Sequence, residues 1–201
     1  MNKNNRDFIQ LQKFLSDAMP DRWLSFANEL SEAADILWKN EQKLLNEPMS
    51  INKNGRLESP KRNPDHYRPY ILLCAFALEN LLKGLLIIQD PKEMATGKLS
   101  RKIADHNLLT LVSNVSALKL NSSEKMVCQV TSDALQYWAR YPVPKKYNHI
   151  KTPKKPDDIF HKTFLNLSYR LGRLIYDQIK NGWDVNIGPA LIQMWSNKYE
   201  D

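Results

Sequence analysis

The run YILLCAFALENLLKGLLII, residues 70–88, restricts this chain more than any other stretch. It is long enough to cross a bilayer, yet Glu79, Asn80 and Lys83 stand at its centre, where each would be costly in hydrocarbon. A helix buried inside a protein, with a few functional polar groups, satisfies both halves of that pattern. Such a helix must be covered on most sides by other elements, so the flanking sequence has to supply a bundle.

It does so with helices separated by proline-rich loops. Phe8, Leu11, Leu15 and Ala18 recur at helical spacing over residues 7–18, and Pro20 ends the pattern. Asp21 is placed to cap a long helix whose apolar positions are Trp23, Phe26, Leu30, Ala33, Leu37 and Leu44. Residues 47–64 are polar, with Gly55 and three prolines, and read as a loop. The central helix is expected from about Tyr67 to Gln89 as the most buried element. A shorter helix follows near 105–118, with Leu108, Leu109, Val112 and Val115 inward. Asn121 and Glu124 have the spacing of a capping box for a helix reaching about Tyr141, with Val127, Val130, Ala134 and Trp138 buried. Asp157 or Asp158 caps the next helix, with Phe160, Phe164, Leu167, Leu171 and Leu174 inward, and Asn181-Gly182 ends it. Pro189 is expected to open a short amphipathic helix through Trp195. No alternating strand run and no solenoid period occurs. The expectation is one all-α bundle over residues 1–201, with its core at about 65–180 and N-terminal helices at 7–46 packed on it.

Charge is distributed unevenly. The chain has 29 Lys+Arg against 22 Asp+Glu, a net +7. Residues 137–156, YWARYPVPKKYNHIKTPKKP, hold six of the basic residues and none of the acids, so the remainder is nearly neutral. A local positive field favours an anionic partner: RNA, DNA, a nucleotide or an acidic protein surface. Prolines keep such a segment extended, lysines along it can follow a phosphate backbone, and Tyr141 and Tyr147 can stack on bases. Lys145, Lys146, Lys151, Lys154 and Lys155 are the candidate phosphate contacts. Cys74 and Cys128 fall in apolar helical patterns and read as reduced core residues of a cytoplasmic protein. The first fifteen residues carry no apolar core of a secretion signal.

Familiar catalytic signatures are missing. Gly97-Lys98 is followed by Leu99, which is not a phosphate-binding loop, and the four histidines have no metal-ligand spacing to one another or to the cysteines. Neither a metal nor a cofactor is therefore expected. Glu79 and Lys83, four apart, are either a plain intrahelical ion pair or the floor of a polar cleft; two charges in so apolar a helix demand partners or water. His106 at a helix start is either a capping histidine satisfied by Asp105 or Asn107, or a functional one. Arg140 at a helix end is stabilised by the last carbonyls whatever else it does.

ALENLLKGLL on the buried helix, then DHNLLTLV, then a helix ending in WARYP, resembles the HEPN superfamily (higher eukaryotes and prokaryotes nucleotide-binding domain) over roughly residues 65–180. The WxRYP ending looks like that of a bacterial subgroup. The resemblance implies a helical bundle that binds RNA, a nucleotide or a protein partner. In catalytic members it implies a metal-independent ribonuclease of the toxin or phage-defence kind. There, two copies meet as a homodimer, which the resemblance implies for this chain too, and an arginine and a histidine with four to six residues between them help the ribose 2′-hydroxyl attack the adjacent phosphate. Arg101 and His106, with four residues between them, fit that spacing but stand before the second half of the bundle, not where the family's motif usually lies; Arg140 and His149 have eight between them, with Pro142 and Pro144 intervening. That departure favours a binding module using Glu79, Lys83, Arg140 and the basic segment. The alternative is an endoribonuclease with Arg140 as phosphate clamp and His149 or His106 as acid/base.

Overall fold

The computed structural model describes residues 3–45, 50–51, 53–58, 66–143 and 146–183. The described helices are α1 (Lys3–Asp17), α2 (Pro20–Leu45), α3 (Tyr67–Gln89), α4 (Lys92–Ala95), α5 (Leu108–Asn114), α6 (Ser122–Asp133) and α7 (Asp158–Lys180). The architecture is an all-α helical bundle. A two-residue antiparallel ladder interrupts the polar loop after α2, pairing Ser50–Ile51 with Leu57–Glu58 around Gly55. Gly55 takes φ +73° there, a conformation that favours a residue without Cβ. The sequence reading had no strand in this loop, because two residues are too few to show alternation.

α3 has the expected bounds and the expected burial, with Ile71, Cys74, Leu78, Leu82 and Leu86 inaccessible to solvent. It packs against α2, α5, α6 and α7. Among the described residues it is the one helix long and apolar enough to span a bilayer, and most of it is enclosed by the bundle. Pro69 falls in its first turn, where the missing N–H would have had no helical acceptor. At Gly84 a Cβ would stand 3.0 Å from Ile175 Cδ1 and 3.2 Å from Trp23 Cβ, so this glycine lets α3 lie close to both α2 and α7.

The inward face of α2 is rotated by one residue from the sequence expectation. Leu24, Ala27, Ser31, Ala34 and Trp38 are buried, again at alternating spacings of three and four. Trp23, Leu30 and Leu37 flank that stripe half-buried, and Phe26 is exposed. Two adjacent apolar stripes share this helix, and α3 and α7 select the one with smaller residues, which permits closer approach. In α1, Phe8 and Leu11 are exposed rather than inward, while Ala18 just beyond it is buried.

The later helices follow their local signals. Asn121 and Glu124 form the reciprocal capping box of α6. Asp157 caps α7, accepting from the Phe160 N–H at 2.8 Å. Gly182, at φ +82°, closes α7 by donating to the Ile179 carbonyl. Val127, Val130, Ala134, Trp138, Phe160, Phe164, Leu167 and Leu171 are buried as expected, but Ile175 rather than Leu174 continues the inward stripe, which runs on to Ile179. α5 is shorter than expected and buries Leu108 and Leu111. α6 does not run on as regular helix to Tyr141. From Ala134 to Trp138 it widens into one π-helical turn, with the Ala139 N–H reaching back to the Ala134 carbonyl at 3.0 Å. The expected terminal helix from Pro189 to Trp195 lies outside the described residues, as does Lys145; so does the side chain of His149.

Candidate functional site

Two features single out the middle of α3, where the segment joining α4 to α5 reaches it. The first is a charged pair inside the core helix. Lys83 Nζ donates to Glu79 Oε1 at 2.7 Å, and the two side chains are only 6% and 8% exposed. This is no surface ion pair; each charge is withdrawn from water and depends on the other. The second is His106, which projects over the pair from the loop before α5. Its Nδ1–H faces both carboxylate oxygens of Glu79, at 3.1 and 3.2 Å. The ring is 57% exposed.

Local chemistry holds that loop in place. Asp105 accepts from the Asn107 N–H at 2.8 Å, and Asn107 caps α5 by accepting from the Thr110 N–H. Ser132 on α6 accepts from the Leu108 N–H at 2.9 Å. Asp105 and Asn107 are thus both spent on backbone, and neither satisfies His106, contrary to the capping interpretation. With Nδ1 directed at Glu79 the ring is held in one orientation, and Nε2 has no hydrogen-bond partner among the described residues. An oriented imidazole with an open nitrogen can accept or donate a proton to a bound group.

The third polar residue at the centre of α3, Asn80, points elsewhere. Its Nδ2 donates to the Phe76 carbonyl at 2.6 Å, and it lines a groove of about 560 Å³ with Asp17, Arg22, Trp23, Phe26 and Glu29. None of the other candidate site residues lies there.

The basic segment starts at the π-helical turn. Arg140 is exposed, its guanidinium 5.6 Å from the centre of the Tyr141 ring. Among the described residues no hydrogen bond or ion pair joins Arg140 to Glu79, Lys83 or His106. Trp138 faces Tyr67 at 6.2 Å, and Tyr67 precedes Glu79 by twelve residues, roughly 18 Å of helix. Tyr141 is 53% and Tyr147 88% exposed, and Lys146 and Lys154 are exposed as well. Two lysines behave differently. Lys151 donates to Asp133 Oδ1 at 2.8 Å and lies 4.6 Å from the Tyr137 ring centre. Lys155, with the buried Pro156, borders a cavity of about 50 Å³ beside Trp38, Tyr67 and Tyr70.

Sequence reasoning missed a second histidine cluster. His161 on α7 is buried, with Nε2 3.2 Å from Asp35 Oδ1 and Nδ1 2.9 Å from the Tyr70 hydroxyl. Its ring stacks on Trp38 at 4.8 Å. Burial lowers the pKa of His161, against the opposing pull of Asp35, and raises that of Tyr70. The only local clue was a histidine one turn beyond an N-cap on an inward stripe; its partners are far off in sequence. Burial also holds the Cys74 thiol well above its ordinary range and pushes Cys128 up to about 12, so neither is a nucleophile.

Among the described residues no three His, Cys, Asp or Glu side chains cluster as metal ligands. The fold and site define an all-α bundle with a buried Lys–Glu pair, an outward histidine above it and an exposed basic, aromatic segment. No protein-family model, curated protein or solved structure matches the chain.

Proposed function

We propose that this chain is a HEPN-like module that binds single-stranded RNA along residues 137–156, without cleaving it. One observation carries the reading: Tyr141 and Tyr147 stand exposed in a stretch that holds Arg140, Lys146 and Lys154 and no acid. An exposed aromatic costs free energy in water and is worth about 1–3 kcal/mol when a base stacks on it. The neighbouring cations meet the phosphates between those bases. A free nucleotide would engage one ring, whereas this spacing offers at least two. An acidic protein partner would use the cations and leave the rings without a role.

Fluorescence anisotropy with a labelled single-stranded RNA tests it. Binding is expected at low salt and should weaken steeply as salt rises. Lys146→Glu with Lys154→Glu should remove it while the thermal transition stays in place. Wild-type protein that ignores RNA at low salt ends the proposal.

The His106–Glu79 geometry favours a second reading, an endoribonuclease in which His106 moves the proton and Arg140 holds the phosphate. Chelator-resistant cleavage leaving a 2′,3′-cyclic phosphate, lost in both His106→Ala and Arg140→Ala, would replace the binding module with this enzyme. The separation of Arg140 from the trio leads us to expect no such cleavage.

A further inference from the structure

Consecutive residues of α6 hold two elements that are distant in sequence. Ser132 accepts from the Leu108 N–H and so pins the loop that carries His106. Asp133 accepts from Lys151 Nζ and so pins the basic segment. Asp133 is itself steadied by Gln129, whose Nε2 donates to the same oxygen at 3.0 Å. Lys151 also lies over the Tyr137 ring, in the π-helical turn one helical step beyond Asp133. The ammonium thus has a carboxylate and an aromatic face already in place, and is only 44% exposed.

The geometry points to Lys151 as a positioning residue: with Asp133 and Tyr137 it forms a latch that seats the basic segment on the helix holding the His106 loop. It does not spend its charge on phosphate. The ligand in question rests on the RNA-binding reading; the latch does not.

The sign of one substitution separates latch from phosphate contact. Asp133→Asn removes a negative charge and frees Lys151. Were Lys151 a phosphate contact that Asp133 merely holds back, RNA would bind more tightly and the dependence of log K on log salt would steepen by about 0.7. The latch predicts the opposite: binding about two- to fivefold weaker, in keeping with the worth of one part-exposed ion pair, with the slope unchanged. Lys151→Met should match it, Lys151→Arg should keep wild-type binding, and Lys154→Met should weaken binding with a slope lower by about 0.7.

Amide hydrogen exchange in the free proteins supplies a readout that needs no RNA. Exchange over residues 146–156 should quicken in Asp133→Asn and Lys151→Met, and stay as in wild type in Lys154→Met. Unchanged exchange in the first two, or tighter RNA binding by Asp133→Asn, overturns the latch. Wild-type protein that fails to bind a labelled oligouridylate of about 12 nucleotides, a length within the usual range of single-strand sites, overturns the RNA reading; the exchange result then still decides the latch.

Discussion

Two clusters in this bundle use the same three groups and turn them opposite ways. In each, a carboxylate binds a lysine four residues on along its own helix and a histidine from another element. Glu79 holds Lys83 and His106; Asp35 holds Lys39, at 2.5 Å, and His161. Around Glu79 the lysine is buried and the histidine exposed, whereas around Asp35 the lysine is 72% exposed and the histidine 9%. The second ring nitrogen shows the consequence. His161 gives it to Tyr70 and has nothing left to offer a ligand. His106 leaves it open. Pairing with a carboxylate therefore does not tell the two histidines apart; the unspent nitrogen does.

The largest expected effect tests which lysine depends on its acid. Glu79→Leu strands the Lys83 ammonium inside the bundle and should destabilise by about 3–5 kcal/mol. Asp35→Leu leaves Lys39 in water and removes one partner of His161, so about 1–3 kcal/mol is expected. Lys83→Met should cost less than Glu79→Leu, because Glu79 keeps His106, and the double variant Glu79→Leu/Lys83→Met should recover most of the loss. Urea denaturation measures all four. Equal losses for Glu79→Leu and Asp35→Leu would remove the distinction between the clusters.

His161→Ala comes next, at about 2–3 kcal/mol, since it unpairs Asp35 and the Tyr70 hydroxyl and empties the stack on Trp38. The same residue gives the stability a pH dependence. Burial holds His161 below its ordinary 6.5, opposed by Asp35 and Asp158 and assisted by Lys39, while Tyr70 faces it from α3. Below 6.5 the unfolded chain therefore binds the proton more readily than the folded one. The stabilisation is complete above 6.5 and declines as pH falls toward the lower folded value. Asp21, whose carboxyl burial raises, acts in the opposite sense, and only in the window above 3.8. Denaturation midpoints at about pH 7.5 and about pH 5.5 should differ in wild type and converge in His161→Gln. A wild-type midpoint that does not fall would contradict the buried neutral imidazole.

What was legible in the sequence was whatever local chemistry decides. The bounds of α3, the Asn121–Glu124 box and the Asp157 cap each depend on residues within a turn of one another. The face of α2 was misread because two apolar stripes lie side by side, and only the neighbours choose between them. Glu79 and Lys83 stood out as charges in an apolar run, but their histidine did not: His106 is 27 residues from Glu79, and Asp105 and Asn107 offered nearer partners. Asp35, Tyr70 and His161 come from three helices, so no periodicity links them. The basic segment was conspicuous by composition, yet composition could not show that Lys151 is already engaged while Lys146 and Lys154 are not tied to the same acid.

The smallest expected effect carries the most about function. His106→Ala removes one partly exposed contact, leaves Glu79 bound to Lys83, and opens no cavity in the core. Its cost to stability should be at most about 1 kcal/mol, within the range of exposed ion pairs, against the larger loss for His161→Ala. If instead it destabilises as much as His161→Ala, His106 is a structural lid on the buried pair, and the open Nε2 has no bearing on ligand binding. If the loss is small and RNA binds with lower affinity, the imidazole faces the ligand, in keeping with its orientation and exposure. Measured together on one protein preparation, urea midpoint and RNA anisotropy separate these outcomes, because a lid would move the first and an outward-facing ligand contact the second.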